Sequence, residues 1–279
     1  VIFDAPIPFA EALAARAVKR LMPTAAGSAE IAKLDPAIRE RAMFSARVED
    51  AAFLARADRL INGIVSPSSN KFQVSDSRPS PFNAIEARAD LKDYLASIGY
   101  APEAGKEGGL RDLSSDTRLD LILKMNVDMA HGAGQFAVQN DPDILDAFPC
   151  LELYRLESRK EEREWTRRWE RNGGKLYTGR MIARKDDPIW SAISAFGNPY
   201  PPFDYNSGMW TREIDRSEAE DLGVIKRSTV VKPQQLSFNK GVEAAMPKDI
   251  SSGLAEAVLE AFKGYAKLTA GKLIMEAMR

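Results

Sequence analysis

The chain has 279 residues, with 39 basic and 40 acidic side chains, 44% hydrophobic residues, one cysteine and one histidine. The near-balance of charge excludes a global field for steering nucleic acid, so a polyanion site has to be local. Cys150 alone forms no internal disulfide, and with His131 it does not complete a zinc site of the usual Cys/His kind, which fits a reducing cytoplasm.

No apolar run reaches the length of a membrane span, so no membrane partner is expected. The first residues lack the basic-then-apolar order of a signal peptide, and the start at Val1 implies residues processed away or absent from this sequence. The length predicts one large domain or two unequal, intimate ones.

Pro6 and Pro8 lead into a helical pattern over 9–21, with Phe9, Leu13, Ala17 and Leu21 on one face and Pro23 as its stop. Asp35-Pro36, a cap followed by a proline, opens a long helical pattern running to Val65. Residues 66–81, rich in serine and proline, read as a loop with a short extended piece at 71–74. A further helix is predicted over 83–98, followed by a glycine-rich connection. Its GKEGG lacks the Gly-Lys-Ser/Thr of a phosphate loop.

Ser115 or Asp116 caps the next predicted helix, which runs to Gln139 with Leu119, Ile122, Leu123, Met129, Ala130, Ala133 and Phe136 on a broad apolar stripe. Gly132, Ala133 and Gly134 suggest a tight crossing with another helix. His131 borders that place. A base or metal-ligand role is weighed against a structural one, and the absence of a second histidine favours the structural.

Asp141-Pro142 begins a short helix that Pro149 closes, and 150–156 alternates Cys150, Glu152 and Tyr154 against Leu151 and Leu153, as a strand does. Residues 155–171 interleave arginines with aromatics. Trp165 and Trp169 stand four apart, as do Arg163 and Arg167, so on a helix each pair shares a face, with Arg168 beside them. Such a pattern stacks on nucleic-acid bases, but acids nearly cancel the bases here, which favours tryptophans in a core and charges on a solvated face. Asn172-Gly173-Gly174 is a turn, followed by one or two strands around Gly179.

Residues 186–223 read DDPIWSAISAFGNPYPPFDYNSGMWTREIDRSEAEDLG. Pro199, Pro201 and Pro202 push the backbone out of the helical region, so Tyr200, Phe203, Tyr205 and Trp210 project from a loop that must pack on something, expected to be the helix 116–139. Beyond it come a short strand at 211–214 and a capping box, Ser217-x-x-Glu220, on a helix that Gly223 ends. Extended pieces follow at 229–231 and 236–238. The tail from Asp249 reads as one long amphipathic helix with Leu254, Val258, Phe262, Tyr265 and Leu268 on one side.

The expected fold is mainly α with a smaller α+β part: a helical N-terminal region over 1–110, a compact α+β domain with a small sheet over 111–224, and an extension over 225–279 with a long C-terminal helix. Chemistry is sparse. No Gly-x-Ser-x-Gly elbow is present, and one histidine gives little choice of base. The carboxylates, Asp186-Asp187 and Glu218-x-Glu220 among them, read as caps and solvated faces. No catalytic residue, cofactor or metal is expected.

The order of motifs from 114 to 223 resembles the phage Mu F-like head morphogenesis, or minor head protein, family. The resemblance lies in a helix ending near a glycine (118–135), a short strand (151–155), an Arg/Trp-rich segment (Arg163, Trp165, Arg167, Arg168, Trp169), a glycine turn and strand (173–180), Asp186-Asp187-Pro188-Ile189-Trp190, and Tyr200-Pro201-Pro202-Phe203. It covers about two fifths of the chain. Many members carry a histidine before the glycine turn and Cys-Arg-Cys after the proline pair, a pattern that looks like a metal or disulfide staple. This sequence has tryptophans at the first place and Asn206-Ser207-Gly208-Met209 at the second. A metal is therefore not carried over, and Trp190, Phe203, Tyr205 and Trp210 are expected to organise the fold by burial instead.

The resemblance implies a non-enzymatic minor capsid protein of a phage or prophage head, in the virion and, during assembly, in the host cytoplasm. Its partners would be portal, scaffold or major head protein, with packaged DNA and copies of itself as further ones. The alternatives are a nucleic-acid-binding virion protein, with Arg163, Trp165, Arg167, Arg168 and Trp169 as the DNA or partner contact, and an effector or toxin enzyme of the modules joined to this family. Against an ADP-ribosyltransferase of that kind, Ser228-Thr229-Val230 and Glu218-x-Glu220 stand in the reverse of the order such enzymes show.

Overall fold

The structure, a computed structural model, describes residues 10–65, 84–158, 162–236 and 241–276. It is a mixture of α and β in two compact units, Val1–His131 with Ser237–Arg279, and Gly132–Leu236. These units cut the chain differently from the three consecutive stretches expected. The residues after 236 belong with the N-terminal unit, and the first boundary falls inside a helix.

The first helix, α1 (Ala10–Ala17), is shorter than its pattern, because Arg20–Leu21 form a strand, β1. After α2 (Ser28–Ile31), Asp35 caps α3 (Pro36–Arg41) by accepting from the Ala37 amide at 3.0 Å. The long helix expected from here breaks at β2 (Ala42–Met43), which pairs in parallel with β1. Alanine-rich propensity loses to burial: Ala42 and Met43 are both core residues. Asp50 then restarts the helix as a cap, accepting from the Ala52 and Phe53 amides, and α4 spans Ala51–Val65. The serine- and proline-rich loop expected at 66–81 lies outside the described residues.

Helix α5 (Ala84–Ser97) and the part of α6 (Asp116–Gln139) that precedes the boundary complete the first core of this unit, where Phe53, Leu54, Ile61, Leu91, Leu95 and Leu119 meet. Ser115 is the cap of α6, its hydroxyl accepting from the Arg118 amide at 3.1 Å. Beside this core the buried Arg16 is neutralised by Asp58 and donates to Asn62 at 2.8 Å.

The second unit begins with the end of α6 and α7 (Pro142–Ala147), capped by Asp141. Then come β3 (Cys150–Arg155), α8 (Trp165–Arg171), β4 (Leu176–Tyr177), β5 (Arg180–Arg184), α9 (Ile189–Ala192), β6 (Met209–Ile214) and α10 (Arg216–Asp221). The strands form an antiparallel sheet in the order β4-β5-β3-β6. β4 and β5 are joined through Thr178 and Gly179, both at positive φ, the conformation a two-residue hairpin turn requires. The cap of α10 is Asp215, accepting from the Glu218 amide at 2.9 Å, not the expected Ser217 box. Residues 229–236 contain no strand. Of the extended piece expected at 236–238, the last two residues lie outside the described ones.

The chain then returns to the first unit with β7 (Glu243–Ala245), α11 (Ser252–Ala261), β8 (Ala266–Thr269) and β9 (Lys272–Met275), in a sheet ordered β7-β9-β8. The long C-terminal helix is thus corrected to a ten-residue helix and a hairpin. Leu254, Val258 and Phe262 bury as expected, whereas Tyr265 and Leu268, read as the same helical stripe, fall on the turn before β8 and on the hairpin and are exposed. Positive φ at Gly264, Ala270 and Gly271 turns the backbone out of the helix and closes the hairpin. This segment shares a second core with Met22, Leu34 and Ile38.

Candidate functional site

The family-like motifs converge on one face of the four-stranded sheet. Alternation along β3 sends Leu151 and Leu153 to that face, where they meet Ala183 of β5 and Met209 of β6. Trp165 and Trp169 lie one helical turn apart on α8 and both bury in this cluster. Trp190 is fully buried, edge-on to Trp169 at 5.3 Å and stacked with Phe203 at 6.0 Å between ring centroids. Its indole N–H donates to the Arg184 carbonyl at 2.8 Å, and that of Trp169 donates to Lys175 O at 2.9 Å. A side chain at Gly174 would sit 2.3 Å from the Trp169 ring nitrogen, so glycine there permits the packing.

The Asp-Asp-Pro stretch supplies turn chemistry. Asp187 accepts from the Ile189 amide at 2.9 Å, while Asp186 accepts from Arg184 Nε at 2.8 Å and from the Lys232 amide at 3.3 Å. The proline loop is fastened by the buried Asn198, whose Nδ2 donates to Tyr200 O at 2.6 Å, and by Ala195 N donating to Phe203 O at 2.8 Å. The Pro201–Pro202 peptide is cis.

The loop packs on the end of α6. A Cβ at Gly132 would lie 1.8 Å from the Pro201 carbonyl oxygen, and Tyr200 sits against Phe136 with centroids 5.3 Å apart. The small residues of α6 therefore admit the proline loop where a crossing helix was expected. Trp210 is half-buried, its indole N–H donating to Gln135 Oε1 at 3.1 Å. Tyr205 departs from the expected burial. It is 46% exposed and packs edge-on against Phe196.

The Arg/Trp segment follows the favoured reading in its tryptophans, and its arginines are the part that bears on the alternative of a contact surface. Trp165 and Trp169 are buried, so neither ring is open to stack on a base; the Trp165 N–H has no acceptor among the described residues. The arginines lie nearer solvent but are paired. Arg163 and Arg168 reach Asp204 at 3.5 and 2.8 Å, Arg163 also donates to Tyr205 O at 2.9 Å, and Arg167 meets Glu164 at 3.1 Å.

The opposite face of the sheet holds a constellation the sequence did not announce. Glu152 is buried there and accepts from Arg180 at 2.6 Å and from Arg212 at 2.8 Å, and Arg180 reaches on to Glu218 of α10 at 2.6 Å. Burial pushes the Glu152 carboxyl up, but the hydrogen bonds from the two arginines outweigh it and hold the group below its ordinary value. The hydrogen bond to Glu152 raises Arg180 in turn, with Glu218 adding to it. Cys150, Ile182, Ile214, Ala219 and Ile225 fill the rest of that face. A charged residue inside an otherwise apolar strand was the available signal; its partners lie on two other strands and could not be read locally.

Of the remaining groups with chemistry, burial pushes the Cys150 thiol up to about 12, where it is inert. Burial lowers His131 against the pull of Asp128. Lys19, in the first unit, is lowered to about 7 by burial and then by Arg16, while its Nζ donates to the Glu40 and Ala42 carbonyls. Among the described residues, no cluster of three or more His, Cys, Asp or Glu side chains is placed to hold a metal ion, and no helix is long and apolar enough to cross a membrane. No family model, curated protein or solved structure matches this chain.

Proposed function

We propose that the protein is a minor structural component of a tailed-phage or prophage head, acting in procapsid assembly by binding portal, scaffold or major head protein. The order of the motifs supports this reading, with Asp-Asp-Pro-Ile-Trp and Tyr-Pro-Pro-Phe following an Arg/Trp segment and a glycine turn. One structural observation carries it further. The residues that resemble the family's signature are those that build the second unit: Asp187 at a turn, Trp190 and Phe203 in the centre of the core, and Pro201 against Gly132.

A signature spent on framework suits a protein that acts by binding. In this reading the N-terminal helices and the compact α+β unit form an assembly module without turnover, resident in the virion and, before packaging, in the host cytoplasm. Mass spectrometry of purified procapsids and mature heads tests it, with the protein expected in both at low copy number. Its absence from both particles would refute the proposal, and enzymatic modification of host protein by the purified chain would move it to the effector class.

A further inference from the structure

Some cations of the second unit are paired, and others, Arg171 and Lys175 among them, make no side-chain hydrogen bond or ion pair with the described residues. Arg163, Arg167 and Arg168 on and beside α8 are paired with Asp204 and Glu164. Lys226, Arg227 and Lys232 are exposed and, among the described residues, make no side-chain hydrogen bond or ion pair. They sit on a strap, residues 226–236, that lacks regular secondary structure yet is held along its length.

A reciprocal turn closes its start, with the Thr229 amide donating to Lys226 O at 2.8 Å and the Lys226 amide to Thr229 Oγ1 at 3.0 Å. Val231 is buried, the Lys232 amide is tied to Asp186, and the Gln234 amide donates to Asn140 Oδ1 at 2.8 Å. Gln234 Nε2 adds a bond to Lys185 O at 2.6 Å. Val230, 74% exposed, follows Arg227 and precedes Lys232 in the chain, and lines an open cleft of about 680 Å³ with Arg227, Ser217 and Ser228.

We propose that this strap is a docking site for an acidic peptide segment of a protein partner, with carboxylates on Lys226, Arg227 and Lys232 and an apolar side chain against Val230. A backbone already fixed in place lowers the ordering cost of binding. The same cleft decides against a nucleic acid. Asp146 and Glu220 line it as well, together with Arg216, which pairs with them at 2.7 and 4.0 Å, so its charges cancel and it offers no continuous positive track to a duplex, which presents a charge about every 3.4 Å along each strand. A peptide can place neutral or basic residues opposite Asp146 and Glu220. The cleft lining also includes no aromatic ring on which a base could stack.

Fluorescence anisotropy with the intact chain tests the site, using a labelled peptide of alternating Glu and Leu, its Gln/Leu counterpart and a short DNA duplex. The Glu/Leu peptide is expected to bind best and to weaken as salt rises. The K226A/R227A/K232A variant should lose about tenfold in affinity or more, as should V230D, which repels carboxylates while keeping the cations. R163A/R167A/R168A should bind as the parent does. All substituted strap side chains are exposed, so an unchanged melting temperature verifies folding. Salt-insensitive or absent peptide binding, an unaffected triple strap variant, or tighter binding of the duplex would overturn the proposal. The assay reads the strap whether or not the protein occurs in heads, so its outcome is independent of the head assignment.

Discussion

One face of the β4-β5-β3-β6 sheet is packed with Trp165, Trp169, Trp190 and Phe203, while the other carries Glu152 between Arg180 and Arg212. Both are built on the same strand, because consecutive residues of β3 point to opposite sides. The apolar face gains from each ring it removes from water, at roughly 25 cal/mol per Å². The charged face first loses the hydration of a carboxylate, and recovers it only because two guanidinium groups supply directed hydrogen bonds. The aromatic face therefore contributes stability, and the charged face ties three strands and α10 into one register.

Four substitutions sharpen that contrast. Trp190→Ala removes the ring at the centre of the aromatic face and is expected to cost about 3–5 kcal/mol by urea denaturation. Gly132→Ala places a methyl group onto the Pro201 carbonyl and forces the proline loop off α6, for about 2–3 kcal/mol. A melt unchanged from the parent would show that the loop does not need this contact.

Glu152→Gln leaves Arg180 with half its partners and should cost about 2 kcal/mol, below the value for a fully buried pair because Arg212 is 56% exposed. The carboxyl is held below its ordinary value of 4.5, so its contribution is complete above that pH and is lost as pH falls through the folded-state value. The parent should thus lose stability on acidification below about pH 4.5 more steeply than Glu152→Gln; parallel acid limbs would remove Glu152 from the account. Asp204→Asn, which releases Arg163 and Arg168 near the surface, should cost less than about 1 kcal/mol and leave the tryptophan fluorescence unchanged.

Much of this was legible where the cause is local. The limits of α6 follow from a cap and an apolar stripe, α7 from Asp141-Pro142, and the two faces of β3 from simple alternation. The packing of Tyr200 and Trp210 on α6 was readable too, because three prolines leave the loop no regular structure of its own, whereas Phe203 packs in the aromatic cluster on the sheet instead. The failures share a non-local origin. Ala42 and Met43 leave a favourable helix to pair with β1, twenty-two residues earlier in register, and the stripe ending at Leu268 disguised a hairpin whose partner strand had not yet appeared in the chain. In the Arg/Trp segment the burial of both tryptophans was legible, but the partner of its charges was not, since Asp204, which pairs with two of them, is remote in sequence.

The pairing of the C-terminal segment with the N-terminal helices sets an order of events during synthesis. Met22, Leu34 and Ile38 share their core with Val242, Leu254, Val258, Phe262 and Leu273, and Asp35 Oδ2 accepts from the Ala245 amide at 3.0 Å. A ribosome delivers every residue of the second unit before any of those partners. The N-terminal hydrophobic surface must therefore wait, uncovered, through the translation of the whole inserted unit, and a chain stalled at residue 236 should bind a hydrophobic dye that the finished protein excludes.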